Sequence, residues 1–129
     1  MKQNARYLCI VNEQRGEDLS RRINAIVVGQ KRYHDKNYTA RQLVEDLGTN
    51  SRYVSVVLRQ SFGLNFRQYI NSLRVEEAKE ILCDPNMDAL SIEEVGDMVG
   101  FITRQSFHDS FRDFTGKTPG AWRKERNNQ

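Results

Sequence analysis

Apolar residues in this chain recur at three- and four-residue steps over most of its length, the spacing of a single buried stripe on an α-helix. Leu19, Ile23, Ile26 and Val27 mark a first helix running to about Arg32, and His34 to Asn37 reads as a polar turn. Thr39 then supplies a hydroxyl cap, and Gln42 three residues later reaches back to it, a capping box ahead of Leu43 and Leu47. That helix stops at Gly48. After a turn over Gly48 to Ser51, Val54, Val57 and Leu58 define a second short helix that ends near Gly63, a natural left-handed stop. Two short helices around a tight glycine-containing turn predict a helix-turn-helix. From Leu64 to Cys83 no glycine or proline intervenes, so one long helix is expected, roughly 30 Å at ~1.5 Å per residue. Asp84-Pro85 breaks it, because proline disfavours helix at the residue before it.

The second half of the chain replays the first. Ser91 and Glu94 repeat the Thr39 and Gln42 box, and Val95, Val99 and Gly100 stand 52 positions after Leu43, Leu47 and Gly48. Past the turn the offset is 53: Val54 corresponds to Phe107, Leu58 to Phe111, Gly63 to Gly116, Phe66 to Pro119 and Tyr69 to Trp122, so the second turn holds one extra residue. Thr118-Pro119 supplies a cap and a first-turn proline for a last helix, with Trp122 read as core. The fold class expected is all-α, with about seven helices in two helix-turn-helix subdomains joined by a long linker helix. The boundaries are 1–18 for an arm or short helix, 19–63 for the first subdomain, 64–83 for the linker and 84–129 for the second.

Candidate chemistry lies on the second helix of each hairpin, residues 51–62 and 104–115. With Val54, Val57 and Leu58 turned inward, Arg52, Ser55, Val56 and Arg59 share the opposite face, with Ser51 at its start. Adding 53 gives Gln105, His108, Asp109 and Arg112, with Arg104 at the rim and Phe107, Phe111 and Phe114 behind. Arg, Gln and Ser reach base edges in a major groove, and Arg also clamps phosphate. Any solvated helix shows polar residues as well. The linker discriminates, since a spacer of roughly 30 Å suits two helices held about one DNA turn, roughly 34 Å, apart. Arg123, Lys124 and Arg126 either touch phosphate or solvate the last helix; His34 is assigned no role.

The stretch Glu93-Glu94-Val95-Gly96-Asp97-Met98-Val99-Gly100-Phe101, then Gln105-Ser106-Phe107-His108, then Phe111-Arg112-Asp113-Phe114-Thr115-Gly116-Lys117-Thr118-Pro119 with Trp122 and Arg123, resembles the signature of the AraC/XylS family. Arg74-Val75-Glu76-Glu77-Ala78-Lys79-Glu80-Ile81-Leu82 is similar to that family's linker helix, and the likeness covers about Leu19 to Lys124. The resemblance implies a seven-helix domain that activates or represses transcription by binding double-stranded promoter DNA, often contacting RNA polymerase. It also implies a basic residue where Val56 and Asp109 stand, and alanine where Gly96 stands. Val56 suits a thymine methyl and Asp109 suits cytosine N4. Family members often carry a sensor domain, for which the 18 leading residues are too few; a stand-alone member or a piece of a longer regulator is expected, with a homodimer as a further partner.

Charge and composition add little to this picture. A net charge of +3 with an isoelectric point near 9.0 suits a polyanionic partner. Cys9 and Cys83 have no CxxC or Cys/His cluster around them, so neither zinc nor a disulfide framework is expected, and a reducing cytoplasm fits. The apolar runs Tyr7 to Val11 and Ala25 to Val28 are far short of the roughly 20 residues that span a bilayer, and no signal peptide is read. No nucleophile-base pair, phosphate loop or paired carboxylates at catalytic spacing is present, so neither enzyme nor cofactor is expected. The alternative function is a protein-interaction module on a helix-turn-helix scaffold whose DNA-reading face has degenerated.

Overall fold

Seven helices account for the regular structure among the described residues, apart from two single 3-10 turns at Arg32–His34 and Pro85–Met87. The computed structural model describes residues 16–127. The helices are α1 (16–27), α2 (Ala40–Leu47), α3 (Ser51–Phe62), α4 (Phe66–Cys83), α5 (Ile92–Val99), α6 (Arg104–Thr115) and α7 (Pro119–Asn127). The chain divides into two compact units. Among the described residues, one takes in 16–32 together with Tyr38–Tyr69; the other takes in Tyr33–Asn37 together with 70–127. The arm read over Met1 to Asp18 lies outside the described residues, except that 16–18 begin the described part of α1.

In the first unit, α1 ends at 27, short of the Arg32 suggested by its apolar stripe. The Asn24 carbonyl accepts from both Val28 N and Gly29 N, at 2.9 and 3.1 Å. The chain then passes so close over Ala25 that a Cβ at Gly29 would lie 2.4 Å from its carbonyl oxygen, and Lys31 follows at a left-handed φ of 52°. Leu19, Ile23 and Val27 of α1 are buried, as are Leu43 and Leu47 of α2 and Val54, Val57 and Leu58 of α3. Arg22 Nη2 donates to the Leu47 carbonyl at 2.8 Å, satisfying one of the acceptors orphaned at the end of α2. Asn65 and Gln68 cap each other's backbone N–H groups at 2.8 and 3.0 Å, which starts α4 at Phe66 rather than Leu64. The Tyr69 ring packs 4.8 Å from that of Phe62, and its hydroxyl donates to Asn24 Oδ1. Burial pushes the pKa of that hydroxyl up.

The second unit has a core of Val75, Ala78, Leu82, Val95, Val99, Phe101, Phe107 and Phe111, with Ile81, Leu90, Ile92 and Trp122 packed against it. Its aromatic residues form a chain of contacts: Phe101 to Phe107 at 5.1 Å between ring centroids, Phe107 to Phe111 at 5.9 Å, Phe111 to Trp122 at 5.8 Å, the last two edge to face. Lys79 Nζ covers the Trp122 ring at 5.4 Å. Phe114, expected behind α6 with Phe107 and Phe111, is instead 41% exposed; it sits in the last turn of α6, and Ser110 fills the inward position between the other two. His34 to Asn37 is also more than a polar turn. His34 Nε2 lies 2.6 Å from Glu77 Oε2, Tyr33 donates its hydroxyl to Glu77 Oε1 at 2.9 Å, and Lys36 pairs with Asp97.

Arg74 on α4 is only 8% exposed. Its Nε donates to the Tyr33 carbonyl at 2.7 Å, Nη2 to the Asp35 carbonyl at 3.1 Å and Nη1 to Asn71 Oδ1 at 3.3 Å, while the guanidinium lies 5.6 Å from the centre of the Phe101 ring. Burial pulls its pKa below the usual arginine value, opposed by the Asp35 charge. Gly100 ends α5 at φ 113°, and a Cβ there would lie 2.3 Å from the Tyr33 carbonyl oxygen and 2.9 Å from Arg74 Nε. Both the backbone conformation and the lack of space require glycine.

Two predictions concern stability. A Cβ at Gly96 would meet the Phe107 ring at 2.6 Å, so Gly96→Ala should destabilise by about 1–3 kcal/mol despite alanine's higher helix propensity. The double change Gly96→Ala with Phe107→Leu should recover part of that loss; thermal unfolding measures both, and an unchanged melting temperature for Gly96→Ala would refute the packing account. Burial, the hydrogen bond to Glu77, and the charges of Glu77 and Glu80 push the Tyr33 hydroxyl up to about 12. A raised tyrosine pKa means the folded chain holds its proton longer than the unfolded one. The stabilisation is therefore complete below about pH 10 and lost as pH rises towards 12. Denaturant unfolding across that window should show Tyr33→Phe lowering the pH slope by about one proton's worth.

Candidate nucleic-acid interface

Each unit builds the same hairpin from the same local devices. In the first, Gln42 N donates to Thr39 Oγ1 at 3.2 Å and Thr39 N to Gln42 Oε1 at 2.9 Å; in the second, Glu94 N donates to Ser91 Oγ at 3.0 Å and Ser91 N to Glu94 Oε1 at 3.3 Å. Gly48 and Gly100 end α2 and α5 in left-handed conformations. Asn50 Oδ1 accepts from Tyr53 N at 2.9 Å and Thr103 Oγ1 from Ser106 N at 3.0 Å, which fixes the start of α3 and of α6. Both are twelve residues long and end at Gly63 and Gly116, each with positive φ.

With Val54, Val57 and Leu58 buried, the opposite face of α3 presents Ser51, Arg52, Ser55, Val56 and Arg59, all exposed. Arg52 and Arg59 form no ion pair among the described residues, so both guanidinium groups retain their full set of donors for an outside partner. Val56 between them is 43% exposed, an apolar side chain held in water by the direction of its helix.

Helix α6 presents Arg104, Gln105, Asp109 and Arg112 to solvent. Arg104 Nη1 lies 3.4 Å from Glu93 Oε1 on α5, and Gln105 Nε2 donates to Asp109 Oδ1 at 2.9 Å. Arg112 has no ion-pair partner among the described residues. His108 differs from its neighbours: it is half-buried, its ring meets Phe107 edge to face at 6.0 Å, and its Nε2 is enclosed without a hydrogen-bond partner.

The sequence gives no direct sign of the Glu93 contact, which arises only when α5 and α6 fold across the turn. Two arginines left open between phosphate contact and solvation have structural bonds. Arg123 Nη1 donates to the Leu90 carbonyl at 2.7 Å, and Arg126 donates to the Cys83 carbonyl at 3.1 Å and to Asp88 Oδ1 at 2.6 Å. Among the described residues there is no cluster of metal-ligating side chains and no helix long and apolar enough to cross a membrane.

A family model described as a helix-turn-helix domain matches residues 43–125, from the buried Leu43 of α2 into α7. The chain belongs to the AraC-type helix-turn-helix family. Among its relatives, the Msm operon regulatory protein of Streptococcus mutans is 30% identical over 83 residues, 64% of this chain. The melibiose operon regulatory protein of Escherichia coli is 24% identical over 91 residues, 70% of this chain. The AraC-type domain described here spans 29% of the length of each of those regulators. Solved structures agree. The C-terminal domain of the two-component response regulator yesN from Fusobacterium nucleatum superposes with a TM-score of 0.69 at 28% identity, covering 82% of this chain and 98% of that one. The C-terminal domain of AraT, a response regulator from Geobacillus stearothermophilus, gives 0.70 at 27% identity, covering 81% of this chain and 83% of that one. The seven helices and doubled hairpin of the AraC-type fold are thus present in this chain.

Proposed function

We propose that this chain regulates transcription by binding promoter DNA, with α3 and α6 each entering a major-groove segment and the two segments successive along the duplex. The observation that supports this reading most strongly is the twice-built hairpin, whose second helix buries one face and on the other leaves Arg52, Arg59 and Arg112 without an ion-pair partner among the described residues. In this reading Arg59 and Arg112 clamp phosphate. Arg52, Arg104 and Gln105 face base edges, with Ser51 and Ser55 as short hydrogen-bonding contacts at the start of α3 and Val56 against a thymine methyl. His108 joins the contact through the exposed part of its ring. The regulators it resembles are much longer chains, so contact with RNA polymerase, dimer formation and an attached sensor domain belong to the proposal as well. A cytoplasmic location follows from a DNA partner.

Binding to a duplex selected from a random pool should weaken steeply with salt, because each neutralised phosphate releases counterions. Arg59→Ala should lower affinity for all sequences alike and reduce the salt slope by about 1, whereas Arg104→Ala should relax preference at one base position with a cost of about 1–3 kcal/mol. A flat dependence of log affinity on log salt for every duplex would defeat the phosphate mechanism. A folded chain that retains no duplex at all would favour the protein-interaction alternative.

A further inference from the structure

The outer face of α6 carries a side-chain pair with no equivalent on α3. Gln105 and Asp109 stand one helical turn apart, and Gln105 Nε2 donates to Asp109 Oδ1 at 2.9 Å. The positions matching them in the first hairpin hold Arg52 and Val56, a cation and an apolar group. A carboxylate only accepts hydrogen bonds, so the amide must turn its NH2 group toward Asp109 and its Oε1 away. Both residues are exposed, and Asp109 forms no ion pair among the described residues that would draw its charge aside. At this point the α6 surface therefore offers mainly acceptors, Gln105 Oε1 and the free oxygen of Asp109, where the matching point of α3 offers the donors of Arg52.

Resting on the groove-binding reading above, we propose that Gln105 and Asp109 act as one acceptor unit. The unit selects a base that displays an exocyclic amine in the major groove, cytosine through N4 or adenine through N6, and excludes guanine. Those amines are the only donors that base pairs present there, whereas guanine shows the two acceptors O6 and N7. A carboxylate pressed against O6 and N7 loses water and gains no partner, so the discrimination is by repulsion as much as by attraction. The bond from Gln105 holds the Asp109 carboxylate in place before DNA arrives. Guanine contacts fall instead to Arg104 of the same face, which supplies the donors guanine needs.

The test begins with duplexes selected from a random pool by the unaltered chain. One position of the selected site should hold cytosine or adenine, and guanine there should weaken binding by about tenfold or more. Asp109→Ala, a change at an exposed position, should bring all four bases at that position within about threefold while leaving the other positions as they were. Replacing the selected base by its analogue without the amine, pyrimidin-2-one for cytosine or purine for adenine, identifies which amine is read. That replacement should cost the unaltered chain about 5- to 100-fold and Asp109→Ala less than about twofold. Gln105→Ala should weaken the preference without abolishing it. The proposal is overturned if the unaltered chain accepts guanine equally at every position, or if Asp109→Ala keeps the original preference while still binding. Failure of the unaltered chain to bind any duplex would instead remove the groove-binding reading, and this proposal with it.

Discussion

A buried guanidinium organises the second hairpin. Arg74 is removed from water, which is tolerable only because the carbonyls of Tyr33 and Asp35 and the amide oxygen of Asn71 accept its hydrogen bonds and the face of Phe101 lies beside it. Those contacts fill the space beside residue 100, so the turn between α5 and α6 can be made only by a residue without a side chain. The direction in which α6 leaves that turn is thus set from α4 and from the short segment Tyr33–Asn37, neither of which belongs to the hairpin. Removing Arg74 would leave two backbone carbonyls of that segment without these donors as well as a void beside the turn.

The extra residue in the second turn has a physical purpose in this arrangement. Between Gly48 and α3 the chain spends two residues, Thr49 and Asn50; between Gly100 and α6 it spends three, Phe101, Ile102 and Thr103. The longer turn lets Phe101 enter the core against Phe107 and beneath Arg74 while Thr103 still reaches the capping position. Gly96 belongs to the same adjustment: the Phe107 ring occupies the space that a methyl group would need, which accounts for glycine where the family resemblance implies alanine.

Much of the architecture was legible because it is local. Caps three residues apart, left-handed glycines and an apolar stripe specify α2, α3, α5 and α6 within a residue or so, since each device acts on its own helix end. The end of α1 was not, because it depends on a close pass over the Ala25 carbonyl that no side-chain pattern records. Arg74 was hidden for a related reason. It stands beside Glu76 and Glu77 on a helix rich in charge, which reads as solvated, and only the return of Tyr33–Asn37 turns it inward. For the candidate interface, periodicity put Arg52, Ser55, Val56 and Arg59 of α3 and Gln105, Asp109 and Arg112 of α6 on the exposed side, but it also put Phe114 on the buried one. It did not register that His108 leans into the core or that Arg104 is tethered to Glu93, because both follow from contacts across the hairpin.

The two turn glycines, alike in sequence position, live in different surroundings: a Cβ at Gly48 would meet nothing within 4 Å, whereas one at Gly100 would strike backbone and a buried cation. Insertions and exchanges are tolerated where a connection faces open solvent and rejected where it is encased. Exchange of Gly48 therefore meets only the backbone cost of its left-handed φ, whereas exchange of Gly100 adds a clash with the Tyr33 carbonyl and Arg74 to that cost, so the later bend is held to its present form by its own packing.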